Sequence, residues 1–234
     1  MVLKLYGSVL STCTPLVAII LLEKRIPFEF IEVGQGEFIK TPEYKAKQPF
    51  GQVPYIDDDG FILYESRAIA RYICEKYPDQ GPKLIPDAPK QRALFEQAAS
   101  TELYSFDPYA RSVVIERYIK QFRKQEPDQH FASVMLETLE QKMDAYEAIL
   151  SKHKYVAGDN LTLADLFHIP YGLLLPPAGC NILISPEKRP NVARWFKEIS
   201  SRPAARAIWG PQGYVIPASL EEGLKLLNEQ KQAE

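Results

Sequence analysis

Two stretches of this chain set polar residues at the starts of helices, where they could do chemistry: Ser11 after one short apolar run and Glu65-Ser66 after another. Ser66 is a good N-cap whose neighbouring N–H groups attract a carboxylate, and Glu65 adds a fixed negative charge beside them. A carboxylate and an ammonium can thus be recognised side by side, as the head of a γ-glutamyl group requires. Upstream, the Pro54 ring excludes an α-conformation at Val53 and offers no N–H, so the chain runs extended there with the Val53 backbone open to a ligand. Such an edge recognises a short peptide through main-chain hydrogen bonds, and a cis Val53–Pro54 bond is the usual way to aim it. Ser11 precedes a helix containing Pro15, which sets its hydroxyl beside the positive end of that helix.

The elements that must position these groups follow from the pattern. The first part reads as β (Val2–Tyr6), α (Pro15–Lys24), β (Phe28–Val33), β (Tyr55–Asp57), β (Phe61–Tyr64) and α (Ser66–Lys76). That order suits a four-stranded mixed sheet with helices packed on it, the thioredoxin-like arrangement of an α/β domain. Residues 77–89 carry Pro78, Pro82, Pro86 and Pro89 with Gly81, which stops helix and strand alike. The predicted division is therefore 1–80, a linker over 81–89, and an all-α domain over 90–234. A long helix is expected from Lys90 to Lys124. A second carries the stripe Phe131, Val134, Met135, Thr138, Leu139, Met143, Tyr146, Ile149 and Leu150, capped by Asp128. Thr162 to Asp165 has capping-box spacing, Pro170 and Pro176-Pro177 kink and end that helix, and Pro190–Ser201 and Ser219–Lys231 add two more.

The 234 residues suffice for two domains with real cores. A net charge of −2 with interspersed signs gives no basic stripe, so nucleic acid is not expected as a partner. No apolar run reaches membrane-spanning length, and Met1-Val2-Leu3-Lys4 starts a strand without a signal-peptide core, so a cytoplasmic protein is expected. Cys13, Cys74 and Cys180 are too few and too scattered for a disulfide framework. His130, His153 and His168 lack metal spacing, and Asp57-Asp58-Asp59-Gly60 lacks the alternating ligands of a calcium loop and reads as a hairpin turn. No metal is expected. His168 is read as a packed, hydrogen-bonded histidine and Cys13 as a spectator thiol.

Taken together, the thioredoxin-like half, the Val-Pro edge, the Glu-Ser helix start and the all-helical half resemble the cytosolic glutathione transferases, most closely the phi class. The resemblance rests on Tyr6-Gly7 with Ser11-Thr12, Lys40-Thr41-Pro42-Glu43, residues 49–54 (PFGQVP) and Glu65-Ser66-Arg67-Ala68. It continues through Phe106-Asp107-Pro108, Ala157-Gly158-Asp159, residues 161–165 (LTLAD) and Arg202-Pro203-Ala204, ending near residue 209. Two positions depart from the family: Ile39 stands where a histidine is frequent, and Leu16 where an arginine is frequent.

The resemblance implies attack of the glutathione sulfur on a hydrophobic electrophile, with reduction of organic hydroperoxides as a further activity, by a homodimer. Glutathione is a co-substrate, and no other cofactor is implied. Only the thiolate is a competent nucleophile. Lowering a thiol pKa from about 8.5 to about 6.5 takes roughly 2–3 kcal/mol. One charge-assisted hydrogen bond contributes roughly 1.5–3 kcal/mol and a helix N-terminus roughly 0.3–1. Ser11 can supply both, as a donor to sulfur without forming a covalent bond. By resemblance, Lys40 and Gln52 hold the glycyl carboxylate, Val53-Pro54 the cysteinyl backbone, and Glu65 with Ser66 the γ-glutamyl end. Leu10, Thr12, Phe38, Tyr104, Phe106 and Tyr109 are candidates for the electrophile pocket, and Phe50 for the dimer interface. The same fold also serves non-catalytic ligand carriers and interaction modules, and Cys13 leaves thiol–disulfide exchange as a third reading.

Overall fold

The computed structural model describes residues 2–34, 36–211 and 213–232. It divides into two compact units, Met1–Lys83 with Arg202–Glu234, and Leu84–Ser201.

The first unit is built on strands β1 (Leu3–Gly7), β2 (Phe28–Glu32), β3 (Tyr55–Asp58) and β4 (Phe61–Tyr64), in the order β2-β1-β3-β4. β1 pairs parallel with β2 and antiparallel with β3, which pairs antiparallel with β4. Between β1 and β2 runs α1 (Cys13–Glu23), and after β4 comes α3 (Ser66–Lys76). Strand alternation sorts the side chains. Leu3, Leu5 and Gly7 of β1 point to one face with Ile56 of β3, and Tyr6 and Tyr55 to the other. α1 lies on the Gly7 face, because a Cβ at Gly7 would meet Thr14 of α1. The opposite face carries α2 (Pro42–Lys45), whose Tyr44 ring packs edge-on against Tyr55 at 5.5 Å. α1 is apolar all round and buried from Thr14 to Glu23, which fits a helix enclosed on every side. The β3–β4 hairpin turns on Asp59 and Gly60, both at positive φ, with Gly60 N–H donating to Asp57 Oδ1 at 2.8 Å. The expected hairpin turn is what forms.

The helical unit holds α4 (Pro89–Ser105), α5 (Asp107–Val114), α6 (Lys120–Phe122), α7 (Gln129–Leu150), α8 (Leu163–Leu166), α9 (Ile169–Leu174) and α10 (Pro190–Ser200). The single helix expected from Lys90 to Lys124 is broken at Phe106, and a π-turn at Ile115–Ile119 separates α5 from α6. Pro108 accounts for the first break: it has no N–H to give the Tyr104 carbonyl, and its ring would clash with it. α7 starts as predicted, Asp128 accepting the Phe131 N–H at 2.9 Å. Its stripe is buried at Leu139, Met143, Tyr146 and Leu150, but Phe131 and Val134 stand exposed near the start of the helix. The capping box at α8 forms. Buried Asp165 accepts from Thr162 N–H at 2.9 Å and Thr162 Oγ1 at 3.1 Å through one oxygen, and from Val156 N–H and Trp195 Nε1 at 3.0 Å each through the other. His168 is buried among aromatic rings. Its Nδ1 must donate to the Ala164 carbonyl at 2.8 Å, so in the neutral ring Nε2 accepts from Tyr146 Oη at 2.9 Å.

Where the sequence assigned residues up to 234 to the helical domain, the structure returns Arg202 onward to the first unit. α11 (Pro203–Ala207), the short ladder of β5 (Trp209–Gly210) and β6 (Gly213–Tyr214), and α12 (Leu220–Gln232) all belong to it. The open edge of β2 supplies one reason: Phe30 N–H donates to the Ala218 carbonyl at 2.8 Å, covering an edge that would otherwise stay unpaired. Two ties to α1 supply the others. Arg202 forks onto buried Glu23 at 2.7 and 2.6 Å, and Gly223 lies so close to Leu22 that a Cβ there would come within 2.4 Å of it. No helix among the described residues is long and apolar enough to cross a membrane.

Candidate active site

The turn between β1 and α1 is assembled from its own hydroxyl groups. Ser8 N–H donates to Thr14 Oγ1 at 3.1 Å, Leu10 N–H to Ser8 Oγ at 3.3 Å, and Ser11 N–H to the Ser8 carbonyl at 3.1 Å. At the start of α1, Cys13 N–H donates to Ser11 Oγ at 3.1 Å, while Thr12, the formal N-cap, makes no side-chain cap. Ser11 therefore does the capping from one residue further out. Its oxygen accepts from the positive end of the helix, and the hydroxyl proton remains for donation to an anion there. Ser11 is half-buried, so the group can be reached.

Tyr6 takes no part in that turn. Strand alternation directs it to the face opposite α1, where its ring stacks on Tyr55 with centroids 4.5 Å apart, and the Lys47 ammonium lies 5.7 Å from it. Burial pushes the Cys74 thiol up to about 12, and it raises that of Cys180 as well, which leaves both inert. Cys13 stands at the first position of α1, is half-buried and forms no disulfide.

The predicted peptide edge is held from behind. Tyr44 Oη donates to the Gln52 carbonyl at 2.8 Å, and Gln52 N–H donates to Oε1 of buried Gln48 at 3.0 Å. Burial raises the Tyr44 phenol to about 12, so it stays a neutral donor. The Val53–Pro54 bond is cis. The β1–β3 ladder starts at Tyr55, which leaves Val53 outside it. Residues 61–64 then lead into Glu65, whose φ of +70 is rare for a residue with a side chain. The structure makes Glu65 the N-cap of α3 and buried Ser66 its first residue, so the cap falls one residue earlier than the sequence suggested. Glu65 makes no side-chain cap and is exposed.

Lys40 ends a 3₁₀ turn (Phe38–Lys40) and is exposed, its ammonium 2.9 Å from Glu37 Oε1. Among the remaining candidates in the first unit, Leu10 and Phe38 are exposed and Thr12 is buried. Phe50 is 67% exposed and meets Tyr64 edge-on at 6.0 Å. In the helical unit, Tyr104 is exposed and Tyr109 half-buried, whereas Phe106 is fully buried with its ring 4.7 Å from His168. Phe106 is a core residue. Sequence reasoning missed Thr14, Tyr44 and Gln48, whose hydrogen bonds hold the turn before α1 and the edge before Pro54. The Thr41-Pro42 pair does announce α2, Tyr44 N–H donating to Thr41 Oγ1 at 3.3 Å, but nothing in the pattern says where the Tyr44 hydroxyl goes.

Family models match both units: "Glutathione S-transferase, N-terminal domain" over residues 5–83 and "Glutathione S-transferase, C-terminal domain" over residues 106–203. Glutathione S-transferase hmp2 of Hypomyces subiculosus is 43% identical over 207 residues, which cover 86% of this chain and 95% of that protein. Among solved structures, glutathione transferase F7 from Populus trichocarpa superposes with a TM-score of 0.81 at 39% identity, covering 87% of this chain and 96% of that one. Glutathione S-transferase I from mais, solved in complex with an atrazine glutathione conjugate, gives 0.79 at 27% identity, covering 97% and 99%. The chain belongs to the glutathione S-transferase family, and its relatives include the phi-class enzymes designated F. It is a glutathione transferase.

Proposed function

We propose that Ser11 activates the glutathione thiol and that the enzyme transfers the resulting thiolate to flat, hydrophobic electrophiles. A carbon–sulfur bond forms, and the electron pair leaves with the departing group or takes up a proton at an activated double bond. The observation that carries this reading is the Ser11 hydroxyl at the start of α1, its oxygen accepting the Cys13 N–H so that its proton can go to sulfur. Glu65 and Ser66 take the γ-glutamyl end, Val53 the cysteinyl backbone, and Gln52 with Lys40 the glycyl carboxylate. Lys40 exchanges its exposed partner Glu37 for the ligand, a small cost for two groups already in water. Exposed Leu10 and Phe38 of the first unit suit flat, apolar substrates. The enzyme from mais is solved with an atrazine glutathione conjugate, which supports a conjugating activity here. The protein works as a homodimer through Phe50, in the cytoplasm, where its three cysteines stay reduced.

Retention on immobilised glutathione together with turnover of an activated aryl halide tests this reading. Binding without turnover would contradict it.

A further inference from the structure

We propose that Glu32 is a positioning residue that ties the Ser11 turn to the loop bearing Phe38 and Lys40. The inference rests on the Ser11 reading above. Glu32 is the last residue of β2 and stands in register with Gly7, the last of β1. Both strands end there, each handing the chain to a loop that the proposed site uses. Just past this point Val33 N–H donates to the Gly7 carbonyl at 2.8 Å. The Glu32 carboxylate then reaches both loops at once. Oε2 accepts the Val9 N–H at 3.1 Å, and Oε1 accepts the Gly34 N–H at 2.9 Å.

Val9 lies two residues before Ser11, and Gly34 opens the segment that runs to Phe38–Lys40. Gly34 has a φ of +68, so a glycine makes this fold-back at no steric cost. The bonds of Ser8, Leu10, Ser11 and Cys13 stay within the turn and the start of α1, whereas that of Val9 crosses to β2. Both Glu32 bonds are solvent-exposed, so what they contribute is the position they fix and not their strength. Glu32 is therefore the anchor that fixes the turn relative to the sheet, and the same carboxylate fixes the neighbouring loop to the turn. A hydroxyl that stabilises a thiolate must be held within a fraction of an ångström, so loosening this clamp costs turnover through Ser11.

A double-mutant cycle tests this with glutathione and an activated aryl halide, both saturating. Glu32→Ala is expected to lower kcat about fivefold or more with Ser11 present and less than about twofold in the Ser11→Ala background. Glu32→Gln, which keeps one acceptor oxygen, falls between Glu32→Ala and the parent. Equal losses in both backgrounds, or no loss with Ser11 present, would overturn the Glu32 inference alone. Undiminished turnover in Ser11→Ala by itself would overturn the Ser11 reading and this inference with it.

Discussion

Gly7 at the end of β1 leaves no room for a single added carbon against Thr14 of α1: a Cβ there would lie 2.2 Å from Thr14 Cγ2 and 2.7 Å from its Oγ1. That Oγ1 accepts the Ser8 N–H and so begins the chain of bonds that ends at Ser11. Gly7→Ala must displace either the helix or the turn. It is expected to destabilise the protein by about 1–3 kcal/mol and to lower turnover more than it weakens glutathione binding. Thermal unfolding and steady-state kinetics check this, and parental values in both would mean that the close approach does not position Ser11.

In the proposed reading Glu65 and Ser66 bind the part of glutathione that does not change in the reaction, so they are expected to supply uniform binding. Glu65→Gln is expected to raise the KM for glutathione about tenfold while kcat stays within about threefold. Initial rates at saturating electrophile separate the two. A fall in kcat with KM unchanged would show that Glu65 acts on the transition state instead.

Much of the local structure, including the turns and helix starts that carry the candidate site, could be read from residue types, because it depends on local rules. Pro54 announces its extended neighbour, Glu65-Ser66 announces α3, and Asp128 and Thr162 announce α7 and α8; each acts within a few residues of itself. What escaped depends on distant partners. The contact of Gly223 with Leu22 and the fork of Arg202 on Glu23 join residues about 180 or more positions apart, and no periodicity says which unit an amphipathic tail covers. Phe106 looked like a pocket residue because it is aromatic, yet the break before Pro108 turns it into the core beside His168. Phe131 and Val134 fit the helical period but lie on an open face, since periodicity gives a stripe and not its depth.

Asp165 satisfies four donors from three segments of the helical unit, and burial nevertheless pushes its carboxyl above the usual range. Asp165→Ala leaves those donors buried without an acceptor and is expected to destabilise the unit by about 3–5 kcal/mol. Chemical denaturation followed by Trp195 fluorescence measures it. A loss below about 1 kcal/mol would mean that water replaces the carboxylate.

Phe50, exposed in the single chain, is expected to be buried by a partner subunit. Phe50→Ala should weaken self-association at least about tenfold. Sedimentation across a concentration series reports the dissociation constant, and an unchanged value removes Phe50 from the interface.

Ser11 is proposed to stabilise the sulfur anion, against Tyr6 on the face of the sheet opposite α1 and Cys13 at the first position of α1. The most direct measurement is the thiolate absorbance of the glutathione complex against pH for Ser11→Ala, Tyr6→Phe and Cys13→Ser. Ser11→Ala is expected to raise the pKa of bound glutathione by about one unit or more, the loss of one charge-assisted hydrogen bond, while Tyr6→Phe and Cys13→Ser titrate like the parent. A parental titration in Ser11→Ala with a raised one in Tyr6→Phe would contradict the claim. So would one glutathione added by mass at Cys13 with turnover lost in Cys13→Ser.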